Sequence, residues 1–119
     1  MFRLMFRHIS GARASELDVI ALEGQGELIL GSAQSAAVRF DLLEERVGRR
    51  HARISWTDET PNSFVLADLG SRSGTFLNWR LLSAPIILHS GDIIQLGAQG
   101  PEVEVRWEGA ASAPLELIG

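Results

Sequence analysis

Residues 66–78 read LADLGSRSGTFLN. An apolar run ends at Asp68, residues 70–75 are all small or polar, and hydrophobicity resumes at Phe76. Within the break, Gly70 and Gly74 bracket Ser71, Arg72 and Ser73. Glycine reaches backbone conformations closed to other residues, and hydroxyls and guanidinium forks are side chains that meet anions. The stretch therefore reads as strand, tight loop, strand. It raises the question whether the loop is a plain turn or is shaped to hold something.

The same rhythm extends in both directions. Short apolar segments recur at Phe2–Ile9, Leu17–Leu22, Glu27–Leu30, Val38–Phe40, Ala52–Trp56, Phe64–Asp68, Phe76–Leu77, Leu81–Leu82, Ile86–Leu88, Asp92–Leu96 and Val103–Trp107. Several alternate with period two. Ile54 and Trp56 flank Ser55, and Val103, Val105 and Trp107 flank Glu104 and Arg106, the pattern of strands with one face buried and one wet. Turn residues punctuate them: EGQGE at 23–27, DETPNS at 58–63, HSGD at 89–92 and GAQGP at 97–101. The one helical candidate, DLLEER at 41–46, is too short to bury a second apolar turn and reads as a loop with a single turn. These features predict an all-β fold, an antiparallel β-sandwich of about 11 short strands. Residues 1–108 form that sandwich; residues 109–119, small residues followed by Pro114, read as a linker or tail.

Composition narrows the function. The chain has 119 residues, enough for one domain. No apolar run approaches the ~18–20 residues of a membrane span, so no membrane contact is expected. Absence of cysteine excludes disulfides and thiolate metal sites and fits a cytoplasmic setting. A net charge of −4 argues against a nucleic-acid partner. All 11 basic residues are arginine, each a planar and permanently charged fork.

Enzyme signatures fail one by one. In GSRSG, Arg72 stands where a nucleophile elbow needs serine. The chain has no lysine, so no Gly-Lys-Ser/Thr phosphate loop exists. Gly24 and Gly26 open a Gly-x-Gly, but Ile29 stands where its third glycine belongs. His8, His51 and His89 are dispersed, which gives no metal site by spacing. Neither catalytic residues, nor a metal, nor a cofactor is expected.

Four segments in order, LILGSAQSAAVRF, VGRRHARISW, DLGSRSGTFLN and LHSGDIIQLG, resemble the forkhead-associated (FHA) domain, a β-sandwich that binds phosphothreonine peptides. The resemblance covers roughly residues 27–107 and implies a protein or peptide partner, phosphorylated or not. Gly31, His51, Gly74, Thr75, Asn78, Gly91 and Asp92 fall on the family's structural motif, together with Asp68, Ser71, Leu88, Ile94 and Gly97. Gly74 is expected in a left-handed turn. A buried His51 can accept and donate at once and so join two loop backbones.

The departures fall on the ligand side. Ser32 replaces the family's phosphate-gripping arginine, Gly48 the serine that bonds the phosphate, and Ser73 the asparagine that holds the peptide backbone. Hydrogen bonds to a charged group are worth about 1.5–3 kcal/mol each, so on the order of 4 kcal/mol is removed, roughly a thousandfold in affinity. The partner-contacting candidates are the loop residues Ser32, Gly48, Arg49, Arg50, Ser71, Arg72 and Ser73, with Trp79 in the following turn. Arg49, Arg50 and Arg72 either supply guanidinium groups to a partner or are solvated, with Glu44, Glu45 and Asp68 as the alternative partners of Arg49 and Arg50. Ser32 and Ser73 either face a ligand or cap their own turns. Trp79 is either an exposed anchor or packs over the neighbouring strand. Three functions follow: phosphate-independent protein interaction, phosphothreonine binding through a pocket rebuilt from Arg72, Arg49 or Arg50, and self-association as a homodimer.

Overall fold

Alternation of inward apolar and outward polar side chains builds two stacked sheets. The computed structural model describes residues 2–57, 59–60 and 63–109. The strands are β1 Phe2–His8, β2 Leu17–Leu22, β3 Gly26–Gly31, β4 Val38–Arg39, β5 Ala52–Trp56, β6 Val65–Asp68, β7 Thr75–Leu77, β8 Arg80–Leu81, β9 Ile86–Ile87, β10 Ile93–Leu96 and β11 Glu102–Gly109. Each coincides with one of the segments read from the sequence, and no helix occurs among the described residues. One sheet has the order β2-β1-β11-β10-β7-β8, the other β4-β3-β5-β6-β9.

Every pairing is antiparallel except β3 with β4, which run parallel through Leu30↔Val38 and Gly31↔Arg39. That pairing involves only the last two residues of β3, so the chain has to double back only slightly, and residues 32–37 suffice. The segment 41–46 forms two successive turns, with Glu44 N–H donating to the Asp41 carbonyl (2.9 Å) and Val47 N–H to that of Glu44 (3.0 Å). Gly109 ends β11 opposite Phe2 and so belongs to the sandwich. The rest of the expected tail, 110–119, lies outside the described residues, as do Asp58, Pro61 and Asn62 of the DETPNS turn.

The core lies between the sheets. Leu4 and Phe6 from β1, Leu28 and Leu30 from β3, Ile54 from β5, Leu66 from β6, Ile94 and Leu96 from β10, and Val103 and Val105 from β11 are all buried. Phe64 joins the sheets at one end. Its ring lies 4.7 Å from Trp107, 5.9 Å from Phe2 and 6.3 Å from Trp56, centroid to centroid. Trp56 and Trp107 thus pack against the core while remaining partly accessible. On the outer face of the six-stranded sheet, Glu104 bridges Arg106 (2.8 Å) and Arg7 (3.0 Å), and these two cations hold its carboxyl below the usual carboxylate range.

Replacing Phe64 with alanine removes a fully buried ring from this junction. It is expected to cost about 3–5 kcal/mol, read as a lowered urea midpoint at an unchanged m-value.

Candidate functional site

At one end of the sandwich three loops meet: residues 32–37 after β3, residues 40–51 before β5, and residues 69–74 between β6 and β7. Backbone bonds join the first two, with Ser32 N–H donating to the Gly48 carbonyl and Ala33 N–H to that of Arg49, each at 3.0 Å. Gly31 is required by this close approach. Its φ is not left-handed, but a Cβ there would stand 2.1 Å from the Arg49 carbonyl oxygen.

His51 ties the second loop to the third. It is fully buried, and its Nδ1 lies 2.9 Å from the Gly48 nitrogen, which can only donate. Nδ1 is therefore the acceptor and the ring proton sits on Nε2, which donates to the Gly74 carbonyl at 2.7 Å. Its main chain extends the link, N–H to the Leu30 carbonyl (2.9 Å) and carbonyl to the Leu69 N–H (3.0 Å). Burial lowers the imidazole pKa from 6.5, against the opposing pull of the Gly74 bond and of Asp68.

Asp68 organises the third loop. Its Oδ1 accepts from the Ser71 hydroxyl (2.5 Å) and the Thr75 hydroxyl (2.7 Å), and its Oδ2 from the Ser71 N–H (2.9 Å). Burial raises its pKa, but these bonds outweigh burial and hold the carboxyl below its ordinary 3.8. Ser71 Oγ in turn accepts from the Gly74 N–H at 2.9 Å, and Gly74 takes a φ of 87°, the left-handed conformation that the motif requires.

The expected partner-contacting residues divide into two sets. Ser71 has given its only hydroxyl proton to Asp68. The Ser73 hydroxyl donates to the Arg46 carbonyl. Ser32 is only 6% exposed. Gly48 has no side chain to offer, although a Cβ there would meet its nearest neighbour, His51 Nδ1, at an ordinary 3.8 Å. Arg49, Arg50 and Arg72 are exposed and enter no ion pair among the described residues, so neither Glu44, Glu45 nor Asp68 neutralises them.

Trp79 is 62% exposed. It occupies the β7–β8 turn with Asn78 at positive φ, 65° and 48°, the conformation of a two-residue type I′ hairpin. Its indole N–H reaches Glu102 at 2.9 Å. Asn78 braces the turn, its Oδ1 accepting from the Ile93 N–H (2.9 Å) and its amide donating to Asp92 (3.1 Å). Asp92 also accepts from the His89 N–H at 2.8 Å, while Gly91 takes a φ of 99°. One supporting position escaped the sequence reading of the loops, Arg46, which packs beside the motif residue Gly97. A Cβ on Gly97 would stand 2.8 Å from that of Arg46 and 2.9 Å from the Ser73 hydroxyl, a crowding that no local pattern announces.

The FHA-domain family model matches residues 28–97. The chain belongs to the FHA-domain family. A solved FHA domain characterised for phosphothreonine-dependent interactions is 28% identical with a TM-score of 0.70, over 90% of this chain and 98% of that one. The FhaA FHA domain, solved in complex with the intracellular domain of Rv3910, is 30% identical with a TM-score of 0.67, over 87% and 99%. The kinase-interacting FHA domain of a kinase-associated protein phosphatase from Arabidopsis is 25% identical with a TM-score of 0.74, over 91% and 95%. The probable E3 ubiquitin-protein ligase dma1 of Schizosaccharomyces pombe is 42% identical over 69 residues, 50% of this chain. The chain spans about a quarter of the length of that ligase, 25%. As an FHA domain the chain is a protein-interaction module of the phosphopeptide-binding class.

Two predictions follow from this geometry. The unfolded imidazole of His51 titrates near 6.5 and the folded one lower, so between these values the unfolded chain binds more protons. The His51 contribution to stability is complete above that pH and is lost as pH falls through 6.5 towards the folded value. A ring-nitrogen NMR titration is expected to show the Nε2–H tautomer and a midpoint below 6.5; a midpoint above it contradicts the assignment. At Trp79 the left-handed backbone costs any residue with a Cβ roughly 1–2 kcal/mol, and β-branched side chains fit it worst. Trp79→Gly is expected to change stability by less than about 1 kcal/mol and Trp79→Ile to lower it by on the order of 1–2 kcal/mol, read by chemical denaturation.

Proposed function

We propose that this FHA domain is a non-enzymatic interaction module that docks its protein partner through the loops around His51 without depending on a phosphate. The observation that carries the reading is the direction of the serine hydroxyls. Ser71 donates to Asp68 and Ser73 to the Arg46 carbonyl, so both hydroxyl protons are engaged within the protein. With Ser32 buried and Gly48 bare, the loop tips offer a shaped backbone and guanidinium groups but no convergent set of hydroxyl donors for a dianion. Phosphate-directed bonds worth about 1.5–3 kcal/mol each are thereby missing from the loop tips.

A second reading, phosphothreonine binding through Arg72, Arg49 or Arg50, is favoured by the exposure of those three side chains. Self-association has its own support in the edge strand β2, where Leu17 and Val19 are 57% and 49% exposed.

The deciding experiment screens a peptide array in which every sequence is made with threonine and with phosphothreonine. Binding of matched pairs is expected to differ by less than about threefold. Clear preference for the phosphorylated members, abolished by Arg72→Ala, establishes the second reading instead, and elution as a dimer without peptide binding supports the third. The triple variant Ser32→Arg, Gly48→Ser, Ser73→Asn is expected to gain phosphate preference of roughly a hundredfold or more.

A further inference from the structure

The arginines of this chain fall into two groups. Five of the eleven enter ion pairs: Arg3 with Glu108, Arg7 and Arg106 with Glu104, Arg13 with Asp18, and Arg53 with Glu27. The other six are exposed and in no ion pair among the described residues, although the chain as a whole carries −4. Arg39 lies on β4, Arg80 on β8 and Arg46 beside Glu44 and Glu45, which leaves Arg49, Arg50 and Arg72 at the loop tips. They ride on two turns that His51 holds one imidazole apart through Gly48 and Gly74.

Nearby carboxylates are engaged or face elsewhere. Asp68 accepts three hydrogen bonds within its own loop. Glu44 accepts from the Ala12 N–H at 2.6 Å. Glu44 and Glu45 line a hollow with Arg46, Gln99 and Gly100, and Asp41 lines another beside Arg13 and Arg39. The tip of the domain is thus a basic spot on an acidic molecule. Such a spot steers an anionic partner towards itself and away from the remaining surface.

We propose that the partner presents an unphosphorylated acidic segment, whose carboxylates are received by the guanidinium forks of Arg49, Arg50 and Arg72. This rests on the phosphate-independent reading above and names the partner's chemistry. A single phosphate needs donors converging on one point, and the hydroxyl protons of Ser71 and Ser73 are already given to Asp68 and to the Arg46 carbonyl. Several carboxylates along an extended chain meet the forks separately, each in the bidentate geometry that arginine favours.

The test uses the same array, together with a soluble peptide of alternating glutamate and glycine and its glutamine counterpart. Unphosphorylated binders are expected to be enriched in Asp and Glu. The glutamate peptide is expected to bind at least about tenfold more tightly than the glutamine one, with affinity falling as salt rises. The variant Arg49→Ser, Arg50→Ser, Arg72→Ser is expected to lose that difference while its thermal midpoint is unchanged; the corresponding lysine variant is expected to retain part of it. Unphosphorylated binders with no acidic enrichment, unaffected by the serine variant, overturn this inference and leave the phosphate-independent reading standing. Binding confined to phosphorylated peptides, or no binding at all, overturns both.

Discussion

The neutral imidazole of His51 is the constraint on which the ligand end of this sandwich depends. It accepts from the Gly48 N–H and donates to the Gly74 carbonyl, and its own main chain bonds to Leu30 and Leu69. Four bonds from one buried residue hold together loops that belong to separate parts of the chain. A protonated ring could not accept from Gly48, so the low pKa imposed by burial and the loop arrangement are one and the same requirement. Asp68 does similar work one step outward, through the hydroxyls of Ser71 and Thr75.

This scaffold explains how recognition chemistry can change while the fold persists. The residues that shape the loops, among them Gly31, His51, Asp68, Gly74 and Asn78, satisfy each other and need no ligand. The positions that the proposed reading assigns to ligand contact are a different set, Ser32, Gly48 and Ser73. Substituting the second set leaves the bonds of the first intact. What the tip then presents is a rigid backbone outline with three arginines around it.

Much of this was legible in the sequence because its causes are local. Short apolar segments between turn residues marked the strands, several of them with period-two alternation, and the match of Gly74 to the family motif pointed to the left-handed turn it adopts. The parallel β3–β4 pair was not legible, since two residues, Val38 and Arg39, carry no period. The hydroxyl directions of Ser71 and Ser73 belong to different cases. Asp68 lies three residues before Ser71, an Asp-x-x-Ser spacing that already suggests a side-chain turn. Ser73 bonds to a carbonyl 27 residues away, and only the folded arrangement of the loops fixes that partner. Trp79 is similar, because its Glu102 contact and its exposure depend on where the β7–β8 hairpin projects.

The central claim is that the loop tips hold no site for a phosphate dianion, and it can be tested without knowing the partner. Backbone amide NMR during titration with free phosphothreonine reads Ser32, Gly48, Arg49, Arg72, Ser73 and Gly74 directly. The account predicts only small, linear shifts that salt suppresses. Saturable shifts clustered on these amides, persisting at high salt, would contradict it.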